Sequence, residues 1–168
     1  APFDLHELDN LCRAAELYDM GTMIKIDQSH QAFLAQRGVG SGFSSVLFTD
    51  CRSAEDVREC VQIVRPDTPE DRGVYGVATR RHTYMGYGTS AEYVEALRDT
   101  VVAIMIEKKG AVDSLEEILS MPGVDMVQWG PDDYAMSVGR AGDIGHAEIQ
   151  AARKKCSRRR SAWAYATS

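Results

Sequence analysis

The chain has no apolar run longer than the stretch around Val101–Ile106, far short of the roughly 18 residues that span a bilayer, and it opens with no basic-then-apolar leader. These absences predict a soluble, cytoplasmic protein with no membrane partner. Its four cysteines (Cys12, Cys51, Cys60, Cys156) show no C-x-x-C spacing, and its four histidines (His6, His30, His82, His146) stand apart from them and from each other. Structural zinc and disulfide scaffolds are therefore excluded, and reduced, buried thiols are expected. No histidine has a serine or cysteine partner in a recognisable motif. Glycine occurs as Gly38-x-Gly40-x-Gly42, but that spacing precedes a strand instead of following one, so it reads as a turn and not as a phosphate cradle.

Positive charge is also scarce outside one place. The net charge is −6, yet residues 151–168 hold six of the 19 basic residues and no acid, which leaves 13 bases against 25 acids in the remainder. An acidic body excludes nucleic acid as a partner, and the run Arg158-Arg159-Arg160 with its serine-rich surroundings is expected to be a disordered tail over 156–168.

What is present, in 168 residues of which 44% are hydrophobic, is one domain with two alternating periods. Apolar spacing of three and four predicts helices over Leu5–Tyr18, Gln31–Arg37, a stretch opened by Ser53-x-x-Asp56, Ser90–Leu97, the segment holding Val112, Leu115, Ile118 and Leu119, and His146–Lys155. Short strands are expected at Met23–Ile26, Ser45–Phe48, Val101–Ile106 and Asp125–Trp129. Residues Arg72–Gly88, with Arg80-Arg81-His82, form a loop long enough to be functional. Strand and helix in alternation imply an α/β fold with a parallel sheet.

Every strand ends in polar residues: Lys25 and Asp27, Thr49 and Asp50, Glu107, then Asp132 and Asp133. That distribution selects a (β/α) barrel, whose functional groups gather at the carboxyl ends of several strands. A full barrel takes about 200 to 250 residues, so a partial barrel lacking N-terminal and C-terminal strands is expected over residues 1–155. Exposed sheet edges would favour a homo-oligomer.

Glu107 and Asp133 follow adjacent strands, which lie about 4.8 Å apart, so both carboxylates can reach one hard cation. From spacing alone the alternative stands beside it: Glu107 paired with Lys108 or Lys109, and Asp133 capping the next helix. Lys25, alone in an apolar strand, reads either as a stem reaching the barrel mouth or as a cation beside a substrate anion.

The segments Ala103-Ile-Met-Ile-Glu107, Ala111-Val-Asp-Ser-Leu-Glu-Glu-Ile-Leu119, Pro122-Gly-Val-Asp125 and Gly130-Pro-Asp-Asp133 together resemble the HpcH/HpaI family of metal-dependent aldolases and lyases. The likeness runs from Ala1 to about Lys155. It implies a (β/α) barrel in oligomers, with Glu107 and Asp133 binding Mg²⁺ or Mn²⁺ and backbone groups of Gly130, Pro131 and Asp132 receiving the carboxylate of a 2-oxo acid. It also places Lys25 where the family has a catalytic, substrate-binding arginine, and Met105 where it has a glutamine. The family's histidine base falls before Ala1. The implied chemistry is cleavage of 4-hydroxy-2-oxo acids to pyruvate and an aldehyde, with little turnover expected from a chain without that base. The alternatives are a CoA-thioester lyase of the citrate lyase β type and an inactive half-barrel that binds metal or self-associates.

Overall fold

The structure, a computed structural model, describes residues 4–77 and 89–164. Its elements are α1 (Leu5–Glu16), β1 (Met23–Ile26), a 3₁₀ turn (Gln28–His30), α2 (Gln31–Ser41), β2 (Ser45–Phe48), α3 (Ala54–Val64), α4 (Ser90–Arg98), β3 (Val101–Ile106), α5 (Lys109–Asp113), α6 (Leu115–Leu119), β4 (Met126–Trp129), α7 (Pro131–Ser137) and α8 (Ala147–Ala164). The four strands form one parallel sheet in the order β1-β2-β3-β4, so each helical crossover returns the chain to the neighbouring position. This is the α/β alternation that the two periods predict.

One face of the sheet carries the core. Ile24, Ile26, Val46, Phe48, Val102, Ile104 and Ile106 point to the helix layer and pack with Val57, Val64, Leu115 and Ile118. Because side chains alternate along a strand, the residues between them turn to the other face, where Leu47, Ala103 and Met105 form a second, small apolar cluster. β3 is thus covered on both sides, as its unbroken apolar run implies. Lys25 is in register with Leu47, and Leu47 with Ala103, so Lys25 belongs to this second face, where it is exposed.

Two local expectations are corrected. The glycines at 38 and 40 do not make a turn: α2 continues through them to Ser41, and only Gly42 (φ 112°) takes the left-handed conformation that ends the helix. A side chain at Gly38 would meet Ile24 at 3.1 Å, so that glycine lets α2 lie close on β1. Secondly, α8 runs across position 156, where the sequence suggests a tail. Its arginines, lysines and alanines are strong helix formers, and the buried Ile149, Ala152 and Cys156 hold one side of it to the core. The Arg80-Arg81-His82 cluster and residues 165–168 lie outside the described residues. All four cysteines are buried thiols outside any disulfide. Among the described residues no helix is long and apolar enough to cross a membrane.

The amino end of the sheet is closed by one cation. Arg65, just past α3, donates from Nη1 to the carbonyls of Thr100 (2.7 Å) and Leu97 (3.4 Å) and from Nη2 to that of Gly123 (3.2 Å), with Asp125 Oδ2 at 3.5 Å. Asp125 in turn accepts from the backbone of Val102 at 2.7 Å. Arg65→Met would leave these half-buried acceptors unpaired, and we expect a loss of about 2 to 4 kcal/mol in urea unfolding. Because the clamp lies at the end opposite the strand-end carboxylates, the cation affinity described below is expected to stay at its wild-type value.

Candidate active site

All four strands deliver their next residues to the same edge of the sheet. After β1 comes Asp27, which accepts from Ser29 N at 3.0 Å and starts the 3₁₀ turn. After β2, Thr49 is buried, its hydroxyl within hydrogen-bonding distance of the Ile26 carbonyl (3.0 Å) and of Asp50 Oδ2 (3.2 Å). Asp50 adopts a left-handed backbone conformation (φ 62°), which aspartate tolerates better than most residues.

That turn presents its amide to Glu107. The Asp50 N–H donates to Glu107 Oε1 at 2.7 Å, and Glu107 is only 2% exposed. Glu107 continues the alternation of Ala103 and Met105 one step past β3, so it caps the second face of the sheet. On the neighbouring loop Gly130 extends the ladder, its N–H donating to the Ile106 carbonyl at 3.1 Å. A β-carbon at Gly130 would lie 2.7 Å from Glu107 Cβ and 2.8 Å from Oε2. Glycine there is what leaves Glu107 its room.

Electrostatics follow from this crowding. Burial pushes the Glu107 carboxyl above its ordinary value; the Asp50 amide opposes the shift, and the negative charges of Asp133 and Asp50 add to it. Lys108, 7% exposed, joins the same cluster, where its positive charge opposes the rise at Glu107; its Nζ lies 2.8 Å from Asp50 Oδ1 and 3.4 Å from Asp133 Oδ1. Burial alone would lower its pKa, but these two carboxylates outweigh that and hold it above the usual lysine range.

The alternative pairings inferred from spacing are corrected here. Glu107 pairs with neither lysine: Lys108 takes Asp50 and Asp133, while Lys109 takes Asp113 at 2.6 Å. Asp133 is not the cap of α7, because Gly130 holds that position with no side-chain bond and Pro131 opens the helix. Asp132 is exposed in its first turn. Lys25 makes no ion pair among the described residues and is not drawn into the Glu107 cluster. Asp50 and Lys108 are the two participants that motif reasoning did not assign to the site.

Whether these groups suit a divalent cation can be judged from their chemistry. Glu107 and Asp133 are hard oxygen donors whose charges act on one another, and the space beside Oε2 is kept clear by Gly130. Among the described residues no three His, Cys, Asp or Glu side chains converge as a ready cage. Mg²⁺ does not need one, since it is commonly bound by one or two carboxylates with other oxygens completing the shell. The donor set fits.

Comparison with known proteins gives a consistent picture. The family model described as HpcH/HpaI aldolase/citrate lyase matches residues 1–164. A hydroxypyruvate/pyruvate aldolase of Paraburkholderia phytofirmans is 32% identical over 126 residues, covering 74% of this chain and 48% of its own length. A 2-dehydro-3,6-dideoxy-6-sulfogluconate aldolase of Pseudomonas putida is 29% identical over 153 residues, covering 89% of this chain and 57% of its own. The chain thus spans about half the length of these relatives. Among solved structures, an HpcH/HpaI aldolase from Desulfitobacterium hafniense superposes with a TM-score of 0.81 at 26% identity, over 98% of this chain and 62% of that one.

Proposed function

The chain belongs to the HpcH/HpaI aldolase/citrate lyase family, and from that premise we propose that it serves a class II, metal-dependent carbon–carbon lyase that cleaves 4-hydroxy-2-oxo acids to pyruvate and an aldehyde. The observation that carries the reading is the buried carboxylate of Glu107, held by the Asp50 amide and set against Gly130, with Asp133 close enough to raise its proton affinity. A carboxylate buried that deeply beside a second, half-exposed one is costly to ionise unless a cation neutralises it.

In this reading Glu107 and Asp133 hold Mg²⁺ or Mn²⁺. When bound, such an ion supplies Lewis-acid polarisation of the oxo-acid carbonyl. The chain's own groups do the rest. In the Gly130-Pro131-Asp132 turn the Gly130 N–H is held by the Ile106 carbonyl and proline has none, so the Asp132 amide, in the first turn of α7, receives the substrate carboxylate beside Glu107. Leu47, Ala103 and Met105 form an apolar floor that excludes water below the reacting carbons. Lys25, exposed on that same face, adds positive charge that draws an anionic substrate to it.

Mn²⁺ binding followed by electron paramagnetic resonance, with and without pyruvate, tests this. Pyruvate is expected to tighten Mn²⁺ binding, because two ligands that share a shell must strengthen each other equally. Asp133→Ala should weaken Mn²⁺ by about tenfold or more, whereas Asp132→Ala, whose side chain faces solvent, should change it less than about threefold. Mn²⁺ affinity that ignores both pyruvate and Asp133→Ala would overturn the reading.

A further inference from the structure

Lys108 stands immediately after the buried glutamate and reverses the sign of the charge there. Its side chain is only 9% exposed, and withdrawing a lysine from solvent to that extent is expensive unless its charge is paired. It is anchored on one side. Asp50, whose Oδ1 accepts from Nζ at 2.8 Å, is itself fixed by its amide on Glu107 and by the Thr49 hydroxyl on Oδ2. On the other side Nζ reaches Asp133 Oδ1 at 3.4 Å, the same carboxylate assigned above to the cation.

Counting charge shows what the lysine changes. With Glu107, Asp50 and Asp133 ionised the cluster carries three negative charges, and Lys108 leaves a net of two. A dication then brings the site to neutrality before any substrate arrives. Without the lysine, the cation-loaded site would still be negative, and an incoming 2-oxo acid, itself an anion, would meet repulsion there. The same ammonium opposes the dication, because both approach Asp133. Its effects on the two ligands therefore have opposite signs.

We propose that Lys108 is the fixed counter-cation of this site, a positioning residue that weakens divalent-cation binding through its hold on Asp133 and in exchange favours the anionic oxo acid. The inference rests on the metal-dependent reading above. It explains why a cation is built next to a carboxylate pair intended for another cation.

Three forms separate the possibilities: wild type, Lys108→Met, which keeps most of the stem, and Lys108→Arg, which keeps the charge. A Lys108→Gln variant replaces the methionine form should the latter not fold. Free Mn²⁺ is measured by electron paramagnetic resonance, and pyruvate affinity by titration at saturating Mn²⁺. Removing the charge is expected to tighten Mn²⁺ by about tenfold and to weaken pyruvate by a similar factor, with Lys108→Arg within about threefold of wild type on both counts. A purely structural lysine would weaken both ligands together, and that result, or no change in either, would overturn the inference. Glu107→Ala serves as the control. Mn²⁺ lost in Glu107→Ala but unchanged in Lys108→Met would refute the role of Lys108 alone, while failure of every form to bind Mn²⁺ would refute it together with the metal-dependent reading.

Discussion

Glu107→Gln is expected to lower Mn²⁺ affinity by roughly 100-fold while raising the thermal midpoint of the metal-free protein at neutral pH. The two effects come from one cause. Glutamine keeps the shape of the side chain and an oxygen to accept the Asp50 amide, so the 2.7 Å hydrogen bond and the contact with Gly130 survive. What disappears is a buried negative charge, which a cation needs and the empty fold does not. Since burial first, and Asp133 and Asp50 after it, place the folded-state pKa of Glu107 above its ordinary 4.5, ionising it costs stability. The sign follows. Below the unfolded-state pKa both states hold the proton and the cost is absent; it grows as pH rises past that value and is complete above the raised folded-state pKa. The stability gain of Glu107→Gln should therefore vanish near pH 4 and grow as pH rises above it. Wild-type Mn²⁺ affinity should in turn fall on acidification before an ordinary glutamate would protonate. Equal melting of the two proteins at pH 7.5, with equal Mn²⁺ affinity, would remove Glu107 from the centre of the site.

Which parts of this arrangement the sequence disclosed depends on how far apart the cooperating residues lie. The strands and the capping box of Ser53 with Asp56 are local patterns, and period and spacing reveal them. Glu107 and Asp133 could be paired because each follows a strand and the strands are adjacent, a relation that alternation of elements carries. Asp50 reaches Glu107 across 57 residues by a backbone amide, aimed by a left-handed turn that no local pattern predicts. Lys108 was hidden for a related reason, as a lysine beside a glutamate suggests that pair, whereas its ammonium bonds to Asp50 and Asp133, both distant in sequence. The misread glycines of α2 show the converse. Glycine spacing is silent on whether the backbone turns or merely approaches a neighbour, and here the neighbour is Ile24. At α8 the absence of an apolar period beyond 156 concealed a helix anchored by earlier residues.

Gly110→Ala is expected to be the most disruptive single methyl group in the molecule's active end, costing about 3 kcal/mol of stability and loosening cation binding with it. Gly110 sits in the first turn of α5, two residues past Lys108, and an added β-carbon would lie 2.0 Å from the carbonyl oxygen of Arg52. No real contact is that short, so one backbone must move. The Arg52 side has little freedom. Its N–H donates to Asp56 Oδ2 at 2.6 Å, and Ser53 is locked to Asp56 by bonds in both directions. The yielding element is then α5, and with it Lys108 and Glu107 at its entrance. Moving that strand end away from the β2 loop strains the Asp50 amide on Glu107 and the Lys108 bridge to Asp50, since both span the same gap. Gly145→Ala supplies the comparison, because a β-carbon there meets nothing within 4 Å and its removal of backbone freedom should leave stability nearly unchanged. Urea unfolding and Mn²⁺ binding on both variants decide the matter. A Gly110→Ala protein as stable as wild type, with wild-type Mn²⁺ affinity, would show that the two loops do not depend on that close approach and that Asp50 reaches Glu107 by some other constraint.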